Sequence, residues 1–121
     1  MLELVADLPQ GAVGVRARGR ITAADYETVL VPAVEAALKT HDTLDIYYEI
    51  GREYDGIDAG AVVEDFELGM RELAHWRRLA LVTDVTWIRQ AARLFAFLVH
   101  GEVRVFAVRD AAAARTWIAA R

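Results

Sequence analysis

The chain has 121 residues, 55% of them hydrophobic, no cysteine and a formal net charge of −4 at pH 7. That length suits one core and leaves no room for a second, and the missing thiols exclude disulfides, thiolate metal sites and cysteine nucleophiles. Serine and asparagine are absent too, which removes the commonest hydrolase nucleophile, and the acidic balance argues against nucleic acid, whose phosphates need a basic surface.

Lys39 is the only lysine, so Schiff-base chemistry has a single candidate, on a predicted polar helix face. Acids outnumber bases 11 to 5 over residues 1–60, whereas residues 61–121 carry 7 acids and 9 bases. Such asymmetry is a hint of a binding surface. Apolar runs are broken by Arg, Asp or Gly well short of the roughly 18 residues a membrane span needs. Met1-Leu2-Glu3-Leu4 lacks the basic head and apolar stretch of a signal peptide. The expected location is cytoplasmic, with peripheral attachment to the inner face of the membrane left open.

Leu2 to Ala6 reads as a strand, followed by turn chemistry at Leu8-Pro9-Gln10-Gly11 and a second strand from Val13 to Ala17, an antiparallel hairpin. Thr22 caps a helix, with Asp25 in the place of a capping-box acid. Tyr26, Val29, Leu30, Ala33, Val34 and Ala37 make one helical face. Pro32 falls on the other face, where a kink toward solvent is expected.

Leu44 to Ile50 alternates apolar with Asp45, Tyr47 and Glu49, the pattern of a strand with one dry and one wetter face. Residues 51–58 read as a loop ending at Asp58, an N-cap for a second helix whose buried stripe is predicted as Ala59, Val62, Val63, Phe66, Met70 and Leu73. Leu79 to Thr83 is an interior strand, Thr86 to Val99 a third helix, Val103 to Val108 a last strand, and Ala111 to Ala120 a short closing helix. Strands separated by helical segments of this length predict crossovers and a parallel sheet. The fold class is therefore α/β, with a mixed five-stranded sheet, the first strand antiparallel and the rest parallel, in one domain over residues 1–121. Because Arg16, Arg18, Asp45, Tyr47, Glu49 and Arg104 share the odd face, the helices are expected mainly on one side and the other side partly open or covered by a partner.

The hairpin, the Leu44–Tyr48 strand, the junction Val82-Thr83-Asp84-Val85-Thr86-Trp87-Ile88-Arg89 and the stretch Phe95 to Phe106 resemble SpoIIAA-like proteins, small bacterial domains akin to the STAS domains of sulfate transporters and anti-sigma-factor antagonists. The resemblance covers nearly the whole chain. It implies a non-enzymatic partner-binding switch, in a wider group that includes lipid-binding domains of the CRAL-TRIO (Sec14) kind. Antagonist members carry a phosphorylatable serine where the helix after the central strand begins; here that junction reads Gly56-Ile57-Asp58-Ala59-Gly60, with no hydroxyl to phosphorylate.

Among candidate sites, Glu49, Glu53, Asp55 and Asp58 sit where open α/β sheets place ligands, with Tyr54 as the nearby hydroxyl. They could ligate a hard cation, but a solvated acidic loop explains them better, and no metal or cofactor is assigned. Glu72 and His75 have the spacing of a metal pair yet lie off the apolar stripe, and His41 and His100 lack partner spacing. The third helix is more informative. Phe95, Ile88, Val99 and Ala92 centre its buried face, while Arg89, Gln90, Arg93 and His100 mark the other side. Phe97 projects into that polar side, and Trp87 and Leu94 widen the apolar arc beyond what docking on a sheet requires. Trp76-Arg77-Arg78 could extend this surface. The expected function is a non-enzymatic module that binds a hydrophobic small molecule, an anionic membrane surface or a partner protein through Trp87, Arg89, Arg93, Leu94 and Phe97. The competing explanation is that the fourth helix or the second copy of a homodimer covers this face. A regulatory protein-interaction domain without the switch serine is the alternative function.

Overall fold

The computed structural model describes residues 1–99 and 101–120. A five-stranded sheet runs in the order β1 (Leu2–Leu4), β2 (Ala12–Ala17), β4 (Leu44–Ile50), β6 (Trp76–Thr83) and β7 (Glu102–Phe106). β1 is antiparallel to β2 and every other pairing is parallel, the mixed sheet the strand patterns predict. The hairpin turn uses positive φ at Asp7 and Gly11. Asp is one of the few non-glycine types that enters this region readily.

Thr22 caps the first helical segment in a full capping box with Asp25. The segment begins as α1 (Ala23–Asp25), widens into a π turn at Tyr26–Leu30 and continues as α2 (Val31–Leu38). Pro32 is exposed, as expected, but the bend expected there takes another form. Proline has no N–H to donate and its ring crowds the carbonyl four residues back, and the turn leading to it is wound wider, Val31 donating to the Tyr26 carbonyl.

The segment 51–58, read as a loop, contains a short strand β5 (Tyr54–Ile57) that pairs in parallel with β3 (Gly19–Ile21). This pairing links residues far apart in sequence, so local turn chemistry concealed it. α3 (Ala59–Arg71), α4 (Thr86–Phe95) and α5 (Ala111–Ala119) complete the chain. α4 is four residues shorter than expected: Phe97 and Leu98 donate to the carbonyls of Leu94 and Phe95, three residues back, the tightening that commonly ends a helix.

The α2, α3 and α4 helices cover the face carrying Val13, Val15, Ile46, Tyr48 and Ile50. The opposite face is not left open. There α5 lays Ala114 and Ile118 on Tyr47, Ala80, Val82 and Phe106. Asp45 is buried on this side and receives a hydrogen bond from Arg77 at 2.6 Å, while Glu49 stays partly accessible and Arg104 exposed. Trp76, Arg77 and Arg78 do not extend the surface of α4, because they begin β6. Trp76 is buried, and Arg77 and Arg78 donate to the carbonyls of Ile118 and Trp117 in α5. Trp117 has guanidinium groups near its ring from Arg78 at 5.0 Å and Arg104 at 5.3 Å. No helix among the described residues is long and apolar enough to cross a membrane.

Candidate functional site: an apolar cavity with one polar end

The predicted buried stripe of α3 is not core. Ala61, Leu68 and Gly69 are the buried residues of this helix, whereas Val62, Val63, Phe66 and Met70 are exposed, Phe66 to 57%. Ala59 is exposed as well, and the side chain of Leu73 and all of His100 lie outside the described residues. The inward side of the helix is set by Ala61, Leu68 and Gly69, and the predicted stripe is rotated away from it: Val62 and Phe66 reach the rim of a cavity, while Val63 and Met70 turn to solvent.

The cavity has a volume of about 280 Å³. Its floor is Ile46 and Tyr48 of β4, Leu79 and Leu81 of β6, and Val103 of β7; α3 contributes Val62, Phe66 and Leu68, and α4 contributes Trp87, Ile88, Ala91, Ala92 and Phe95. The two helices meet where Phe95 lies on Gly69, so closely that a Cβ there would stand 2.9 Å from the ring. Trp76 fixes the same region by donating its indole N–H to the Gly69 carbonyl at 3.0 Å. A side chain at position 69 would have to push the end of the Phe95 ring aside.

One part of the lining is polar. The Tyr26 hydroxyl, carried inward by the π turn, donates to Asp65 Oδ1 at 2.9 Å and lies 2.8 Å from the Tyr48 hydroxyl. All three residues line the cavity. Burial pushes the Tyr26 and Tyr48 phenols well up, helped by the charge of Asp65, so both stay protonated. Asp65 is exposed at the rim of the cavity, yet the protein atoms crowded round its carboxyl push its pKa up, opposed by the Tyr26 hydrogen bond.

A family model described as SpoIIAA-like matches residues 12–119. The chain belongs to the SpoIIAA-like family. A search of the curated proteins found no match. Among solved structures, an uncharacterized protein of the DUF3478 family with a SpoIIAA-like fold, from Shewanella loihica PV-4, is similar with a TM-score of 0.71 and 25% identity over 98% of this chain and 92% of that one.

In this SpoIIAA-like domain the residues singled out on α4 divide into two groups. Trp87 lines the cavity, half-exposed at its edge. Arg89 donates to the Thr83 carbonyl at 2.8 Å, which secures the first turn of α4 to the end of β6. Leu94 and Phe97 point to solvent, exposed to 70% and 88%, and Arg93 is exposed beside them. Arg93 and Phe97 border a shallow depression over Val103 and Val105 of the edge strand β7. The predicted inner face of α4 holds: Ile88 and Val99 are buried, Ala92 and Phe95 partly so.

The loop acids are largely committed to arginines. Glu49 accepts from Arg16 at 2.9 Å and from the Tyr47 hydroxyl at 2.6 Å; Glu53 pairs with Arg18 at 3.0 Å; Asp58 pairs with Arg20. Asp58 occupies the N-cap position of α3, but its side chain makes no cap hydrogen bond. Tyr54 packs half-buried against the core. Tyr54 and Asp58 therefore lie on β5 and at its exit, apart from the cavity lining. Sequence reasoning missed Tyr26, Tyr48 and Asp65, which come from three elements and share no local spacing.

Proposed function

We propose that this domain is a non-enzymatic binding module whose ligand is a small hydrophobic molecule held between α3 and α4. The observation that carries this reading is the cavity. Its volume of about 280 Å³ is roughly twice the ~150 Å³ that holds a benzene, so the ligand has on the order of a dozen non-hydrogen atoms. Apolar walls with a few converging polar groups are the usual composition of such sites. The test is titration with n-butylbenzene, followed by the emission of Trp76 and Trp87, both in the lining. Saturable quenching in the native protein and its loss in Ala91→Phe, which fills the cavity, are expected. Quenching that never saturates, or that survives the filled cavity, overturns the reading.

A second reading has its own observation. Leu94, Phe97 and Leu98 are exposed together at the end of α4 beside Arg93, which favours contact with an anionic membrane surface. Burying an exposed Phe gains about 1.5–3 kcal/mol and an arginine near anionic lipid adds about 1 kcal/mol. The outcome is weak, reversible, salt-sensitive binding. Co-sedimentation with phosphatidylserine vesicles at low salt, reduced by Phe97→Ser, checks it, and no co-sedimentation of the native protein refutes it. A dimer using the same face would appear instead as a second subunit in native mass spectrometry.

A further inference from the structure

The hydrogen-bond inventory at the polar end of the cavity limits which ligands can sit there. Each phenol has one proton. Tyr26 gives its proton to Asp65 Oδ1 at 2.9 Å, so in the 2.8 Å contact between the two hydroxyls Tyr48 must be the donor. Both protons are then used internally. What remains at this end is acceptor capacity: a lone pair on the buried Tyr48 oxygen and the second carboxylate oxygen of Asp65, an exposed residue at the rim of the cavity, for which no donor is found among the described residues. The charge nearby has the same sense, since Glu27 follows Tyr26 in the chain, Glu64 precedes Asp65, and the two glutamates lie side by side.

Resting on the cavity reading, we propose that the ligand is an amphiphile with an apolar body and a hydrogen-bond-donating head, neutral or cationic, such as an alcohol or amine, and that fatty-acid anions are discriminated against. A carboxylate head offers only acceptors to a site that offers only acceptors, so it gains no hydrogen bond there and meets the like charge of Asp65. An alcohol completes the chain by donating to Asp65 Oδ2 or to Tyr48, and an alkylammonium adds charge attraction.

The experiment compares 1-decanol, decylammonium and decanoate, below their micellar concentrations, by the emission of Trp76 and Trp87. The native protein should bind the alcohol and the ammonium at least about tenfold more tightly than the carboxylate. Asp65→Asn, whose amide can turn a donor toward the ligand, should reduce that ratio to within about threefold. Tyr48→Phe, which keeps the ring and removes the second acceptor, should weaken decanol binding in particular. Thermal melts verify that each variant is folded. If all three decyl compounds bind saturably with equal affinity, or decanoate binds best, the head-group inference is wrong while the cavity reading stands. Discrimination that persists unchanged in both variants overturns it too, by locating selectivity elsewhere. If none of the three binds, the cavity reading itself fails and the inference fails with it.

Discussion

On one face of the sheet α5 rests directly on Tyr47, Ala80, Val82 and Phe106; on the other, α3 and α4 stand over a cavity of about 280 Å³. Toward the sheet α5 turns the small Ala111 and Ala114, together with Ile118 and Trp117, whose ring lies 6.0 Å from that of Phe106, so small side chains and one large ring fill that interface. On the cavity side Phe66 and Phe95 line facing walls, and Phe95 meets α3 at the bare backbone of Gly69. Ionised groups follow the same division. Burial raises the Glu49 carboxyl on the α5 face, but hydrogen bonds from Tyr47 and Arg16 outweigh it and leave its pKa below the usual range. On the cavity face the single Tyr26 bond does not offset desolvation, and the Asp65 pKa stays raised. The Tyr47 phenol is pushed up to about 12 by burial and its bond to Glu49. The α5 face is tightly packed, and the face under α3 and α4 keeps a cavity.

The sharpest way to break that contrast is to truncate one side chain on each face. Ile118→Ala leaves a void under α5 and should cost about 2–5 kcal/mol, whereas Phe66→Ala, at an exposed cavity wall, should cost less than about 1 kcal/mol. Urea unfolding measures both, and equal losses would mean that α3 closes onto the sheet in solution. Next in size is Arg77→Ala. It leaves the Asp45 carboxylate buried without its partner, and because the Arg77 side chain is partly exposed the cost should reach about 3 kcal/mol. A melting temperature unchanged by this substitution would show that the α5 face tolerates an unpaired charge.

On α4, Phe95→Ser should destabilise by roughly 2–3 kcal/mol, since it removes a half-buried ring from Gly69 and the core. Phe97→Ser should change stability by less than about 0.5 kcal/mol. Equal losses in thermal melts would make Phe97 structural. The smallest effects concern pH and have opposite signs on the two faces. Glu49, depressed in the fold, contributes stability above its unfolded pKa of about 4.3 that is lost as pH falls through its folded value; Glu49→Gln should therefore destabilise at pH 7 and not at pH 3. Asp65, raised in the fold, opposes folding above its folded pKa, and this cost fades as pH falls toward the unfolded value of about 3.9. Asp65→Asn should accordingly raise the melting temperature at pH 7 and lose that advantage near pH 4. Melts across this range that show the same sign for both variants would refute the contrast.

Much of this architecture was legible in the residues. The capping box at Thr22 and the inner face of α4 at Ile88, Ala92 and Phe95 are local patterns, and they hold in the structure. The alternation of β4 sorted its residues between two faces correctly, but the face of Asp45 and Tyr47, read as the wetter one, is buried beneath α5. The cavity was not legible, because the Val62–Phe66–Met70 stripe marks an apolar side of α3 that turns largely to solvent, while the inward side at Ala61, Leu68 and Gly69 is carried mostly by small residues. β5 stayed hidden because its partner β3 is over 30 residues away and both strands are very short. The Tyr26–Tyr48–Asp65 group depends on three elements converging, and its first member depends on how the turn before Pro32 winds, which the sequence marks only as a bend.

That π turn is a store for one extra residue. It holds one residue more than a regular helical turn between the Thr22 cap and Pro32. Excising the exposed Thr28 would let the segment wind as an ordinary α-helix with Tyr26 still aimed inward, because the wide turn and the regular turn replacing it each bring the chain round about once. Rewinding all five residues as regular helix would instead swing Tyr26 by roughly a quarter turn and take its hydroxyl off Asp65. A relative one residue shorter in this segment would therefore keep the hydroxyl in place, and alignment of the two chains would show a gap where the shapes agree.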